Sequence, residues 1–202
     1  MISEVSYPYL EKLISIAKEN YPKVKALDKG VEGAKADVSS ASLSWFEPFN
    51  FNYVYRPNPA SVDIGDLNNI FNGPQYGISV NLGRFIQTPF VIKKSKTQLS
   101  IAQQSKDEYM LSLEAEVKAR YFLYIQKLTE LRIISKIVLD QESVSGQMKN
   151  KFEKGEENLL AYNQVLTQLG MQYSQKITTE GQLLTAKSSL EELLGKKLEE
   201  IK

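Results

Sequence analysis

The chain of 202 residues contains no cysteine and no histidine. Without thiols there are no disulfides, no thiolate metal ligands and no cysteine nucleophile. Without imidazole there is no Ser-His triad and no histidine acting as general base near neutral pH. No apolar run approaches the ~18 residues that a transmembrane helix needs. Neither sign of charge is in excess, with 25 Lys and Arg against 24 Asp and Glu, so no global field draws nucleic acid. The phosphate-binding patterns Gly-x-Gly-x-x-Gly and Gly-x-x-x-x-Gly-Lys are missing, as is the Gly-x-Ser-x-Gly elbow. The acidic pairs Glu156–Glu157, Glu191–Glu192 and Glu199–Glu200 are adjacent in sequence, so on a helix they splay apart instead of converging on a substrate. No enzymatic activity, cofactor or metal site is expected. The opening residues "MISEVSYPYL" have neither a basic start nor an apolar stretch, so any signal peptide is expected either to lie outside this sequence or not to exist. A lack of cysteine suits an envelope or exported protein.

What the chain does have is helical periodicity. One apolar seam runs Leu10, Ile14, Ala17, Tyr21, Val24, Leu27, Val31, Ala34, Val38 and Ala41, in steps of three and four. That is the ~3.5-residue period of a coiled coil, and Pro22 divides the run into helices expected over 7–20 and 22–43. A second seam comprises Met110, Leu113, Val117, Tyr121, Tyr124, Leu128, Leu131, Ile134, Val138 and Gln141. A third comprises Leu159, Leu166, Leu169, Tyr173, Ile177, Leu184, Leu190, Leu194 and Leu198. Gly155, in "KFEKGEENLLAY", stands between two strongly helical runs and is the expected reversal point. An outgoing helix over 84–154 would be roughly 105 Å long, against roughly 70 Å for a return helix over 156–202. The ~30 Å helix at 22–43 stacked on the return helix would make up the difference. A long antiparallel helical hairpin follows.

Two short segments break this pattern. In "FNFNYVY", Phe49, Phe51, Tyr53 and Tyr55 alternate with Asn50, Asn52 and Val54. In "YGISVNLG", Tyr76, Ile78, Val80 and Leu82 alternate with Gly77, Ser79, Asn81 and Gly83. Both read as strands that are apolar on one face and small or polar on the other. An exposed loop is expected between them over 57–74, where Pro, Asn, Gly and Asp dominate. The expected division is therefore N-terminal helices over 1–43, a β-hairpin over 44–84 and the long helical hairpin over 85–202. The fold class is mainly α with one β-hairpin.

The order helix, strand, loop, strand, long helix, Gly turn, helix resembles one repeat of the TolC-like outer-membrane efflux channels. "AKENYPKVKAL" resembles the family's opening Ala-x-x-x-Asn-Pro segment, with Tyr21 where the usual Asn precedes the proline. "AKADVSSASLSWFEPFNFNYVY" resembles its Ala-rich helix running into an aromatic strand, and "YGISVNLGRFI" its second strand and the entry to the outgoing helix. "KFEKGEENLLAYNQVLTQL" resembles its Lys/Arg-aromatic-x-x-Gly turn.

The resemblance implies a passive conduit subunit in the outer membrane and periplasm of a Gram-negative bacterium, exported with a signal peptide. The strands would contribute to a transmembrane β-barrel, in which side chains alternate between lipid and lumen. Phe49, Phe51, Tyr53, Tyr55, Tyr76, Ile78, Val80 and Leu82 would face outer-membrane lipid, and Asn50, Asn52, Ser79 and Asn81 the lumen. Trp45, Phe46 and Phe85 would form an aromatic girdle. Lys154, Gly155, Glu156, Glu157 and Asn158 would form the periplasmic tip that meets an adaptor protein, itself joined to an inner-membrane transporter. The family carries small or apolar residues beside this glycine, where Lys154 and Glu156 stand here. Family channels use two repeats per chain and three chains for a twelve-stranded barrel. With two strands per copy, a homo-oligomer of six copies is the matching expectation. The alternative is a soluble periplasmic coiled-coil hairpin that binds a partner and forms no channel.

Overall fold

The elements run α1 Tyr7–Asn20, α2 Pro22–Leu43, a short 3-10 turn Ser44–Phe46, β1 Phe49–Arg56, β2 Gly73–Val80, α3 Leu82–Glu153, α4 Leu159–Leu194 and a final 3-10 turn Leu198–Glu200. They come from a computed structural model that describes residues 5–56 and 73–201. Most of the loop expected over 57–74 thus lies outside the described residues. Its last two positions, Gly73 and Pro74, belong to β2 and pair with Arg56 and Tyr55.

Local chemistry sets the helix ends. The Ser6 hydroxyl oxygen accepts the Tyr9 N–H at 3.4 Å and caps α1, with Pro8 in the first turn. Tyr21 is extended because it precedes Pro22, and that residue ends α1 and lets α2 begin. At the far end of α3, Gly155 adopts φ +75°, a left-handed conformation that a side chain disfavours. Its N–H donates to the Phe152 carbonyl at 3.0 Å, and the Glu156 N–H to that of Lys151 at 2.9 Å. These paired bonds satisfy carbonyls that α3 would otherwise leave open. Phe152 then stacks on Tyr162 across the reversal, with centroids 5.4 Å apart. The Asn158 side chain accepts the Ala161 N–H at 2.8 Å and starts α4.

The return helix is shorter than the sequence suggests. It begins at Leu159 and stops at Leu194, where Gly195 turns left-handed at φ +63° and donates to the Glu191 carbonyl. Leu198 is therefore beyond the helix. It is held there by its own N–H donating to the Glu191 carboxylate at 2.9 Å.

The chain divides into two compact units, and α3 contributes to both. The first unit joins Met1–Lys25 to Glu108–Lys202. Its core is one cluster: Leu10, Leu13, Ile14 and Ala17 of α1, Leu113, Val117, Tyr121 and Ile125 of α3, and Leu190, Leu193, Leu194, Leu198 and Ile201 from the C-terminal end. Tyr121 is buried, so its hydroxyl needs a partner. It accepts the Ser6 N–H at 3.1 Å and donates to the Ser6 carbonyl at 3.4 Å, which anchors the start of α1. The second unit, Ala26–Asp107, holds most of α2, the hairpin and the first part of α3. Its inward residues are small: Ala34, Ala41, Ser44 and Thr88 are buried, and Lys106 pairs with Asp28 at 2.6 Å.

Every residue of the first two apolar seams is buried or half-buried. The third seam requires correction. Leu159, Leu166, Tyr173, Ile177 and Leu184 are exposed, Ile177 by 68%. The inward stripe of α4 is offset around the helix and runs through Tyr162, Val165, Leu169, Gln172, Lys176, Thr179, Leu183, Ala186 and Leu190. Both stripes have the same period, and the one turned inward is the more polar. Thr179 is fully buried there, and its hydroxyl donates to the Gln175 carbonyl at 2.9 Å.

Two outcomes test this description. Lys118 and Lys18 both donate to the Glu114 carboxylate, Lys118 at 2.6 Å and Lys18 at 2.7 Å, and hold its pKa down to about 2 from 4.5. A depressed folded-state pKa adds stability above the unfolded value and loses it as the folded value is approached. Glu114→Gln should therefore be less stable than the parent by a constant margin above pH ~5, a margin that closes between about pH 4.5 and 2. Melting temperatures followed by circular dichroism across that range check it. At the turn, Gly155→Val should cost about 1–3 kcal/mol through its left-handed backbone. Gly146→Ala, at a helical position with open space around the added carbon, should instead stabilise by roughly 0.5–1 kcal/mol. Chemical denaturation of the two variants distinguishes them.

Candidate functional site

The hairpin is the part of the chain whose side chains are least explained by the chain's own packing. β1 and β2 pair antiparallel with Phe49 opposite Val80, Phe51 opposite Ile78 and Tyr53 opposite Tyr76. Residues directly opposite share a face. Phe49, Phe51, Tyr53, Tyr55, Tyr76, Ile78 and Val80 therefore lie together on one side of the sheet. On the other side, Asn50 faces Ser79, Asn52 faces Gly77 and Val54 faces Gln75. The apolar face is bare, with Phe51 78% and Tyr76 81% exposed. Tyr53 and Tyr76 touch across the strands with centroids 5.2 Å apart, an aromatic pair worth about 0.2–1 kcal/mol. No other strand is present among the described residues, so both edges of this two-stranded sheet are open.

Two residues assigned to the strand by alternation sit elsewhere. Leu82 opens α3, and Asn81 precedes it. The Asn81 N–H donates to the Pro48 carbonyl at 2.9 Å, while its side-chain oxygen accepts the Arg84 N–H at 3.4 Å. Asn81 thus joins the strand to the helix and caps the latter. Of the residues expected to form a girdle, Phe85 meets Phe49 edge-on at 5.7 Å and lies 6.4 Å from Trp45, while Phe46 is exposed. The Arg84 guanidinium donates to the Glu47 carboxylate beside them.

The turn residues are brought together at the end of α3. Lys154, Gly155, Glu156 and Asn158 are exposed and Glu157 is half-buried. Asn158 is engaged in capping α4, as described above. Leu159 and Leu160 are exposed next to them, an apolar pair that reading the turn for charge passes over. Beyond the turn, the exposed stripe of α4 has a counterpart on α3 in Ile133, Ile137 and Val144, also at steps near 3.5. Among the described residues no group of three or more acidic side chains could hold a metal, and no helix is long and apolar enough to cross a membrane.

No family profile matches the sequence, and no curated protein does. Solved structures match the fold. The Campylobacter jejuni CmeC outer membrane channel superimposes with a TM-score of 0.73 at 15% identity, over 96% of this chain and 42% of the channel's. A membrane protein from Pseudomonas aeruginosa gives 0.72 at 17% identity, over 93% and 44%. The outer membrane protein VceC from Vibrio cholerae gives 0.71 at 11% identity, over 93% and 47%. The chain spans less than half the length of each. It has the mainly α fold with one β-hairpin that these structures carry over that part of their length.

Proposed function

We propose that the chain is a conduit subunit of the outer membrane, its hairpin forming part of a transmembrane β-barrel and its helices part of a periplasmic tunnel. The observation that carries this reading is the register of the hairpin. It gathers seven aromatic or aliphatic side chains on one face, and none of them is needed by the chain's own core. Lipid is the medium in which such a face is stable and in which alternation of this kind recurs. Phe49, Phe51, Tyr53, Tyr55, Tyr76, Ile78 and Val80 then face acyl chains, with Leu82 continuing the band on the first turn of α3. Asn50, Asn52 and Ser79 face the water-filled lumen, with Asn81 at its rim. The open strand edges require further strands, since a bilayer offers no water to satisfy them. Other copies of this chain, six in all for a twelve-stranded barrel, supply them and cover the exposed stripes of α3 and α4. Passage is passive, without catalysis. The turn offers Leu159 and Leu160 beside Lys154, Glu156 and Glu157 to a periplasmic adaptor protein, which links the conduit to an inner-membrane transporter.

Membrane assembly in cells tests the reading. Phe51→Arg or Ile78→Arg should cost about 2–4 kcal/mol per chain near the bilayer centre and move the protein out of the outer-membrane fraction. Asn50→Arg and Ser79→Arg, on the opposite face, should leave it there. Equal loss from both faces, or recovery of the parent protein in the soluble periplasmic fraction, contradicts the assignment.

A further inference from the structure

The exposed stripes of α3 and α4 have the same spacing read in opposite directions. On α3, Phe122, Ile133, Ile137 and Val144 follow one another at steps of eleven, four and seven residues. On α4, Ser188, Ile177, Tyr173 and Leu166 repeat those steps from the C-terminal end. All eight are exposed. Eleven residues make about three turns, so each stripe stays on one side of its helix. At 100° per residue, each lies roughly 100° around its helix from the seam that faces inward. The offset has the opposite sense on the two helices, and because they run antiparallel the stripes emerge on opposite sides of the helical hairpin. Their heights agree as well. Lys127 donates to Gln182 at 2.7 Å and Phe152 stacks on Tyr162, so across the hairpin Ile133 is level with Ile177, and Val144 is within about 4 Å of the level of Leu166. The same face of α4 carries Gly170 and Gly181, and a glycine inside a helix weakens it relative to alanine. A side chain at either position would meet nothing in this chain.

We infer that the α3 stripe of one copy packs against the α4 stripe of the next, head to tail and without displacement along the helices. The inference rests on the conduit reading, in which copies of this chain surround one another. Set antiparallel with Ile133 facing Ile177, the register places Ile137 against Tyr173 and Val144 against Leu166. Phe122 meets Ser188, while Thr129 and Asp140 meet Gly181 and Gly170. Bulk on α3 thus faces a small residue on α4, which gives the two glycines a use that the single chain does not. The occupant is a second copy because the stripes complement each other and not themselves. Their placement on opposite sides excludes a two-fold pair, which would cover one stripe twice and leave the other bare. A head-to-tail contact uses both, and with no axial shift it closes into a ring instead of climbing into a filament.

Cross-linking tests this, since the chain has no cysteine of its own. Ile133→Cys and Ile177→Cys, both at exposed positions, are made singly and together, and membranes holding each variant are treated with a short bis-maleimide. The double variant should give a denaturing-gel ladder that ends at the closed ring of six copies. Co-expression of the two single variants should give dimers and nothing longer. Ile133→Cys combined with Leu166→Cys, which the register sets roughly 16 Å apart along the axis, should link about tenfold less. Dimers from Ile177→Cys alone, or equal linking of 133 to 166, overturn the head-to-tail register. A double variant that forms no links between copies, although the parent runs as a closed oligomer in mild detergent, overturns this interface and leaves the conduit reading intact. A parent that is monomeric or dimeric in detergent overturns the conduit reading itself.

Discussion

A two-stranded sheet can satisfy only the backbone groups that lie between its strands, and among the described residues the outer edges of both strands are open. The same sheet turns Phe51, Tyr53, Tyr55, Tyr76 and Ile78 outward on a single face. Each feature alone has an ordinary solution. Water satisfies open edges, and a neighbouring core covers an apolar face. Together they conflict, because the medium that accepts the aromatic face is the one that leaves the edges unsatisfied. The conflict disappears when further strands complete the sheet, which is why the conduit proposed above is an assembly.

The helices fit that demand. The core of the first unit gathers α1 and the C-terminal end of α4 against the middle of α3, and it is closed by Tyr121 and the Ser6 backbone. Away from that cluster, α4 presents its more polar stripe inward and leaves its greasier stripe exposed. Turning Gln172, Lys176 and Thr179 inward in preference to Leu166, Ile177 and Leu184 makes little sense for a chain that stands alone. It is reasonable for a helix with neighbours on two sides, where coiled-coil seams at the same period are used twice.

Much of this was legible in the residues. The ends of α1 and α2 followed from Pro22 and the apolar steps, and the strand faces followed from alternation. Gly155 was legible because a glycine between two helical runs has one common use. The failures share a cause. A hydrophobic period identifies a stripe but not which stripe faces inward, so α4, which has two, was read by its greasier one. Alternation also carries on through Asn81 and Leu82, although the backbone there has already turned helical. The capping roles of Asn81 and Asn158 were open to inspection, since Asn is a preferred N-cap residue. The C-terminal signal at Gly195 was hidden by Leu194 and Leu198, whose spacing continues the seam across it. The segment 57–72 adds nothing to this comparison, as it lies outside the described residues.

The central claim is that the hairpin is part of a closed barrel. Mass measurement of the protein released from membranes in mild detergent addresses it most directly, because open edges cannot persist in lipid at any stoichiometry. The account predicts a stable closed oligomer, with six copies giving the twelve-stranded barrel. A stable monomer or dimer in detergent would contradict it, and a complex containing a second, different chain would replace the homomeric closure with a mixed one.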